Sequence, residues 1–125
     1  MKPPISPKVH GVIDYTTSSA VAAAPRALKL PPAAAAVCYG LGAGYTALSM
    51  LTRYPAGAKK VVPFKAHGLA EAAIGIALPF VPAMLGLKRG KGARRAKMVF
   101  YGLAALTGVV ATLTDWNSPQ AQAGV

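Results

Sequence analysis

At 125 residues the chain is one domain at most. Hydrophobic residues make up 54% of it and charged residues 14%, against about 25% charged in a typical soluble domain, which argues against an ordinary soluble globule. The net charge of +11 does not point to nucleic acid, because the bases lie in loops and at helix ends with no interleaved aromatics.

Four apolar blocks follow one another along the chain. The first, Val9 to Ala24, opens on Lys8-Val9-His10-Gly11-Val12-Ile13-Asp14 and is weakened by His10, Asp14 and the run Thr16-Thr17-Ser18-Ser19. An early lysine and an Ala-rich stretch before Pro25 imitate a secretory signal. Asp14 inside its apolar core, and the return of the same segment in mid-chain, speak for a membrane helix instead. The second block, Ala33 to Thr52, carries the lone Cys38. A single cysteine excludes an intrachain disulfide and a cysteine metal site, and it is read as a small apolar filler. The third block runs from Ala66 to Leu87 and the fourth from Met98 to Thr114. Each approaches the roughly 20 residues needed to cross about 30 Å of hydrocarbon. Helix is required there, since lipid offers no partner for backbone N–H and C=O groups.

Prolines mark the boundaries. Pro25 and Pro82 fall near the ends of helices 1 and 3, and Pro79 is expected to kink or shorten helix 3. Pro31, Pro32 and Pro63 precede helices 2 and 3, where a missing N–H costs little. Tyr54 and Trp116 end the even helices and suit an interfacial aromatic belt. The tail from Asn117 to Val125 is polar and expected to fray.

The opening motif recurs. Lys65-Ala66-His67-Gly68-Leu69-Ala70-Glu71 repeats Lys-x-His-Gly-apolar-apolar-acid 57 residues on, and Pro25, Leu28 and Leu30 match Pro82, Leu85 and Leu87 at the same offset. After the basic loop the offset becomes 62: Tyr39-Gly40-Leu41 matches Tyr101-Gly102-Leu103, and Leu51-Thr52-Arg53-Tyr54 matches Leu113-Thr114-Asp115-Trp116. The expectation is an all-α membrane protein, a single domain over residues 1–125. Its four transmembrane helices form two parallel helical-hairpin repeats, about residues 8–54 and 65–116, related by an axis along the membrane normal.

The repeated Lys-x-His-Gly-x-x-acid, with a proline fifteen residues after each histidine, resembles the SPW-repeat family of small bacterial membrane proteins. So does the link from Leu51-Thr52-Arg53-Tyr54 to Val62-Pro63-Phe64-Lys65-Ala66-His67. The resemblance spans nearly the whole chain and implies two repeats of two transmembrane helices, in a bacterial inner membrane. It departs at the family's Ser-Pro-Trp, where this chain reads Ala24-Pro25-Arg26 and Val81-Pro82-Ala83. The resemblance implies no biochemical activity.

Residues i and i+4 share a helix face, so His10 stacks on Asp14 and His67 on Glu71. Both pairs, with Asp115 at the end of helix 4, are expected toward one membrane surface. Three readings follow. The first is structural or accessory: each acid neutralises a base such as Lys8, Lys65 or Arg53 and fixes how the helices register. The second is proton- or ion-linked transport through the His–carboxylate pairs. The third is a metal or haem between helices 1 and 3, opposed by the nearby Lys8 and Lys65. No nucleophile–base arrangement, phosphate loop or nucleotide motif is present, so no enzyme activity and no resident cofactor are expected.

Small residues recur at four-residue spacing, as in Gly40 and Gly44, Gly68 and Ala72, Ala104 and Gly108, and are expected at helix contacts. Gly11 and Gly68, each next to a histidine, are expected where helix 1 packs on helix 3 or, alternatively, where backbone comes close around the His–acid site. The bases from Lys88 to Lys97 suit anionic lipid headgroups. A homo-oligomer or a larger membrane complex is compatible with the composition. Six bases fall on the terminal side and eight on the other, a difference too small to orient the chain.

Overall fold

The computed structural model describes residues 2–121. Among them the regular structure is entirely helical. Helix α1 (Pro7–Ala27) starts at Ser6, whose hydroxyl accepts the Val9 N–H at 3.3 Å, with Pro7 in the first turn. Helix α2 (Pro32–Met50) follows a short turn, with Pro32 at its first position. Helix α3 (Phe64–Ala77) gives way to a 3-10 turn (Leu78–Phe80) and the short α4 (Val81–Met84). Pro79 has no N–H for the Gly75 carbonyl and its ring crowds it, which breaks the α-helical ladder as expected. Helix α5 (Lys91–Leu113) and a 3-10 turn (Pro119–Ala121) complete the order.

Three segments are long and apolar enough to cross a membrane: Pro32–Met50, Phe64–Met84 and Lys91–Leu113. Helix α1 matches them in length but not in apolarity. Three of its hydroxyls bond to its own backbone: Thr16 donates to the Val12 carbonyl at 2.8 Å, Ser19 to Tyr15 at 2.7 Å and Ser18 to Tyr15 at 3.2 Å. Helical back-bonding of this kind removes most of the penalty for a hydroxyl in lipid.

Burial is inverted relative to a soluble protein. Leu69, Ile76 and Met84 are 72–81% exposed, whereas His10, Asp14, Ser49, Thr52, His67 and Glu71 are buried. Such continuous apolar exterior is what lipid solvation calls for. Helix α1 packs along α2, and α3 along α5. The apolar core gathers Val21, Leu30, Ala34, Cys38, Leu78, Phe100 and Leu103, so Cys38 is the buried filler its surroundings suggested. A second cluster, Tyr54, Phe64 and Ala121 with Trp116 against it, closes the other end.

Matched backbone bonds brace that end. Ile5 donates to the Leu113 carbonyl at 3.0 Å and accepts from Asp115 N–H at 2.8 Å; Val62 donates to Leu51 at 2.7 Å and accepts from Arg53 at 2.8 Å. At the opposite end Leu30 N–H reaches the Pro25 carbonyl at 3.0 Å and Leu87 N–H the Pro82 carbonyl at 3.0 Å. Each of those turns needs one left-handed residue, supplied by Gly86 at φ 66° and by Lys29 at φ 51°.

Several expectations change. Tyr54 is fully buried rather than interfacial. The tail is docked through Pro119–Ala121, with Ser118 and Ala121 buried, because Ala121 fills the space beside Tyr54 and Phe64; residues 122–125 lie outside the described part. A Cβ added to Gly40, Gly44 or Gly108 would meet nothing, so these glycines face outward and do not pack helices within the chain. Gly42 takes that role, since a Cβ there would come within 2.9 Å of Ala22 Cβ and 3.1 Å of the Ser18 carbonyl.

Candidate functional site

The two i,i+4 pairs converge. His10 Nε2 lies 3.3 Å from Asp14 Oδ1 on its own helix and 3.1 Å from Glu71 Oε2 on α3. His67 Nε2 lies 3.3 Å from Glu71 Oε1 on its own helix and 3.2 Å from Asp14 Oδ2 on α1. Each carboxylate thus bridges both imidazoles, one oxygen to each, in a closed four-membered ring. All four residues are buried, both histidines completely, with Asp14 at 5% and Glu71 at 7% exposure.

Helical geometry explains the ring. The i+4 spacing stacks each acid one turn above its histidine, and α1 and α3 begin at corresponding points of the Lys-x-His-Gly motif. The shared depth follows from that common start.

The outer nitrogens are held as well. His10 Nδ1 is 2.8 Å from Thr114 Oγ1, and His67 Nδ1 is 2.7 Å from Thr52 Oγ1. Each threonine gives its own proton to a backbone carbonyl one turn back, Thr114 to Val110 at 2.5 Å and Thr52 to Leu48 at 2.6 Å. A hydroxyl has one proton, so each threonine must accept from the imidazole. That assigns a proton to both Nδ1 atoms and turns both Nε2 atoms toward the carboxylates.

The threonines cross the halves. His10 of α1 is held by Thr114 after α5, and His67 of α3 by Thr52 after α2. Leu-Thr-x-aromatic at offset 62 was visible as a helix-end marker, but only packing reveals it as the support of the histidines.

An aromatic lid covers the ring. Phe64 stands edge-on to His10, centroids 5.2 Å apart, and Trp116 lies 5.1 Å from His10 and 4.7 Å from Phe64. Tyr54 packs 5.5 Å from His67 and donates its hydroxyl to Asp14 Oδ2 at 2.8 Å. Burial first, and then the Asp14 carboxylate, hold the Tyr54 phenol well above its ordinary pKa.

The lid explains the two motif glycines and favours close approach around the site over helix packing. A Cβ on Gly68 would lie 2.7 Å from the Trp116 ring; one on Gly11 would overlap Ala56 and come 3.3 Å from the Tyr54 ring. They admit the lid rather than a close α1–α3 contact.

The charge partners also differ from expectation. Among the described residues no carboxylate pairs with Lys8, Lys65 or Arg53. Lys8 and Lys65 are exposed, Arg53 donates to the Lys60 carbonyl at 3.3 Å, and Asp115 stays out of the ring, accepting from Asn117 N–H at 3.2 Å. The physical reason is reach and burial: the imidazoles are already inside, whereas lysine stems run outward to keep their ammonium groups hydrated.

On the bundle side of the ring a cavity of about 20 Å³ is lined by Asp14, Glu71, Thr17, Tyr45 and Thr107, room for about one water. Tyr45 Oη and Ser49 Oγ are buried without a hydrogen bond, and so is His67 Nε2. A single N–H cannot point at both flanking oxygens. A porphyrin does not fit: the imidazole centroids are 5.4 Å apart and the two carboxylates fill the space between them.

No family model, curated protein or solved structure matches the chain.

Proposed function

We propose that the chain is a four-span integral membrane protein of two parallel hairpin repeats with a structural or accessory role, its hairpins locked together by the buried ring. One observation carries this reading: each carboxylate and threonine approach at His10 has a counterpart at His67, and each set crosses between the halves. Helix α1 serves as the fourth span. It has 21 residues, about 30 Å of helix, and between its exposed terminal bases Lys8 and Arg26 its polar side chains turn inward or bond to its own backbone. The SPW-repeat family and a bacterial inner membrane are proposed with it, on the motif residues themselves. The bases from Lys88 to Lys97, mostly exposed, sit at one face to meet anionic headgroups. A larger complex is a natural setting for the outward stripe of Gly40 and Gly44.

Topology tests the spans. Single cysteines at Lys2, Lys29, Lys59 and Arg89, in a Cys38→Ala background, should label from one side for Lys2 and Lys59 and from the other for Lys29 and Arg89. Labelling of Lys2→Cys and Lys29→Cys from the same side would remove α1 from the membrane. The role is tested by His10→Ala and His67→Ala, which should reduce folded yield.

The cavity beside Asp14 and Glu71, with its hydroxyls from Thr17, Tyr45 and Thr107, favours a second reading, proton- or ion-linked transport. It requires normal yield and lost flux in proteoliposomes for the same two variants. The Thr16 and Ser19 hydroxyls are exposed and donate to backbone carbonyls, while Ser18 Oγ accepts from Thr46 Oγ1 at 3.0 Å.

A further inference from the structure

We propose that the ring is a divalent transition-metal site, with His10 Nε2, His67 Nε2 and the Asp14 and Glu71 carboxylates as ligands. The inference rests on the reading that two hairpins close on one shared site, and it names the ligand of that site.

Four observations converge on it. First, one donor atom from each residue fits within a 4.8 Å span. A tetrahedral ion with bonds of about 2.0–2.2 Å needs donors about 3.3–3.6 Å apart. Each imidazole Nε2 has an oxygen of both carboxylates within 3.1–3.3 Å; with one oxygen taken from each acid the donors lie within 4.8 Å of one another, and the widest pair closes to the tetrahedral spacing by side-chain rotation.

Second, the donors suit the ion. Two imidazole nitrogens with carboxylate oxygens favour zinc and its first-row neighbours over magnesium or calcium, which prefer all-oxygen shells. Two carboxylates supply the two negative charges that a divalent cation neutralises, a requirement in a low-dielectric interior.

Third, the support is that of a metal site. Metal-bound histidines give their other N–H to a fixed acceptor, which sets the tautomer and aims the lone pair. Thr114 and Thr52 do this for His10 and His67 at 2.8 and 2.7 Å.

Fourth, His67 Nε2 is completely buried, aimed into the ring and without a hydrogen bond. It sits 3.2 Å from Asp14 Oδ2 and 3.3 Å from Glu71 Oε1 but is aligned with neither, a geometry that a cation shared with those oxygens would satisfy. The bases that would oppose a cation are absent from the ring, since Lys8 and Lys65 are exposed on the outer surface. The cavity against Asp14 and Glu71 leaves room for one water as a further ligand.

The test uses full-length protein in detergent or nanodiscs, stripped with a chelator and then titrated with Zn²⁺ alone and with Co²⁺ alone. The expected result is one equivalent of metal per chain after desalting, a raised melting temperature, and cobalt absorption bands of a mixed nitrogen–oxygen site. Asp14→Asn and Glu71→Gln, close in shape to the native residues, should abolish stoichiometric binding. Thr52→Val should weaken it about 10- to 100-fold and Thr52→Ser should restore it, a pattern that does not depend on the histidine variants folding. Folded native protein that retains no metal, or Asp14→Asn protein that binds as the native does, overturns the proposal. Four-span labelling with no metal bound would remove the metal and leave the structural reading in place.

Discussion

Thr114 holds His10 across 104 residues of chain: Oγ1 is 2.8 Å from Nδ1, and its own proton goes to the Val110 carbonyl. The contact ties the first turn of α1 to the end of α5. Removing the hydroxyl strands a buried N–H, which costs about 1–3 kcal/mol. Thr114→Val and, by the matching contact to His67, Thr52→Val should each lose about that much stability, with serine at either position keeping most of it. Reversible unfolding in mixed micelles measures this; valine variants as stable as the native chain would show that the hydroxyls support nothing.

The ring couples residues that are distant in sequence. His10→Ala leaves two buried carboxylates short of a partner, and breaking a buried pair from one side costs about 3–5 kcal/mol. A double-mutant cycle between His10 and Glu71, 61 positions apart, should give a coupling of about 0.5–3 kcal/mol, comparable to that of His10 with Asp14. Additivity of the His10 and Glu71 changes would mean that the pairs stand alone on their own helices.

The glycines divide into two groups. Gly68→Ala drives a Cβ to 2.7 Å from Trp116, and Gly11→Ala drives one into Ala56, so each should cost about 1–3 kcal/mol through overpacking. Gly40→Ala, Gly44→Ala and Gly108→Ala meet nothing within the chain and should be neutral or stabilise by up to about 1 kcal/mol through helix propensity. Thermal melts of the five variants separate the groups; a destabilised Gly40→Ala that also changes oligomer size would reveal a contact between copies.

Tyr54 sets a limit at high pH. Its phenol is kept protonated by burial and by Asp14, so the folded chain resists losing a proton that the unfolded chain gives up near pH 10. The folded state binds more protons above that point, and stability must fall as pH rises from about 10 upward. Tyr54→Phe should flatten this decline while costing stability at neutral pH, because the bond to Asp14 Oδ2 is lost. An unchanged alkaline slope in Tyr54→Phe would place the titrating group elsewhere.

Much of this was legible in the sequence. The apolar blocks give the helices, Pro79 gives the break after Ala77, and the i+4 spacing stacks His10 on Asp14 and His67 on Glu71. Convergence was not legible, because periodicity fixes which face a residue occupies on its helix but not which helix that face meets. Sequence proximity therefore points the carboxylates to Lys8, Lys65 and Arg53, whereas packing gives them imidazoles. Thr52 and Thr114 looked like helix ends, since a threonine's acceptor role appears only once a distant histidine arrives. Tyr54 reads as interfacial by composition, yet Gly11 leaves a slot that draws it over the ring.

The claim that the two His–acid pairs form one site is tested most directly by solid-state NMR of protein labelled with ¹⁵N,¹³C-histidine in lipid. The chain has two histidines, so every signal belongs to His10 or His67. With ring centroids 5.4 Å apart, the account predicts a through-space cross-peak between the two imidazoles, with both Nδ1 atoms protonated. Intraresidue peaks without any cross-peak between the rings would contradict it.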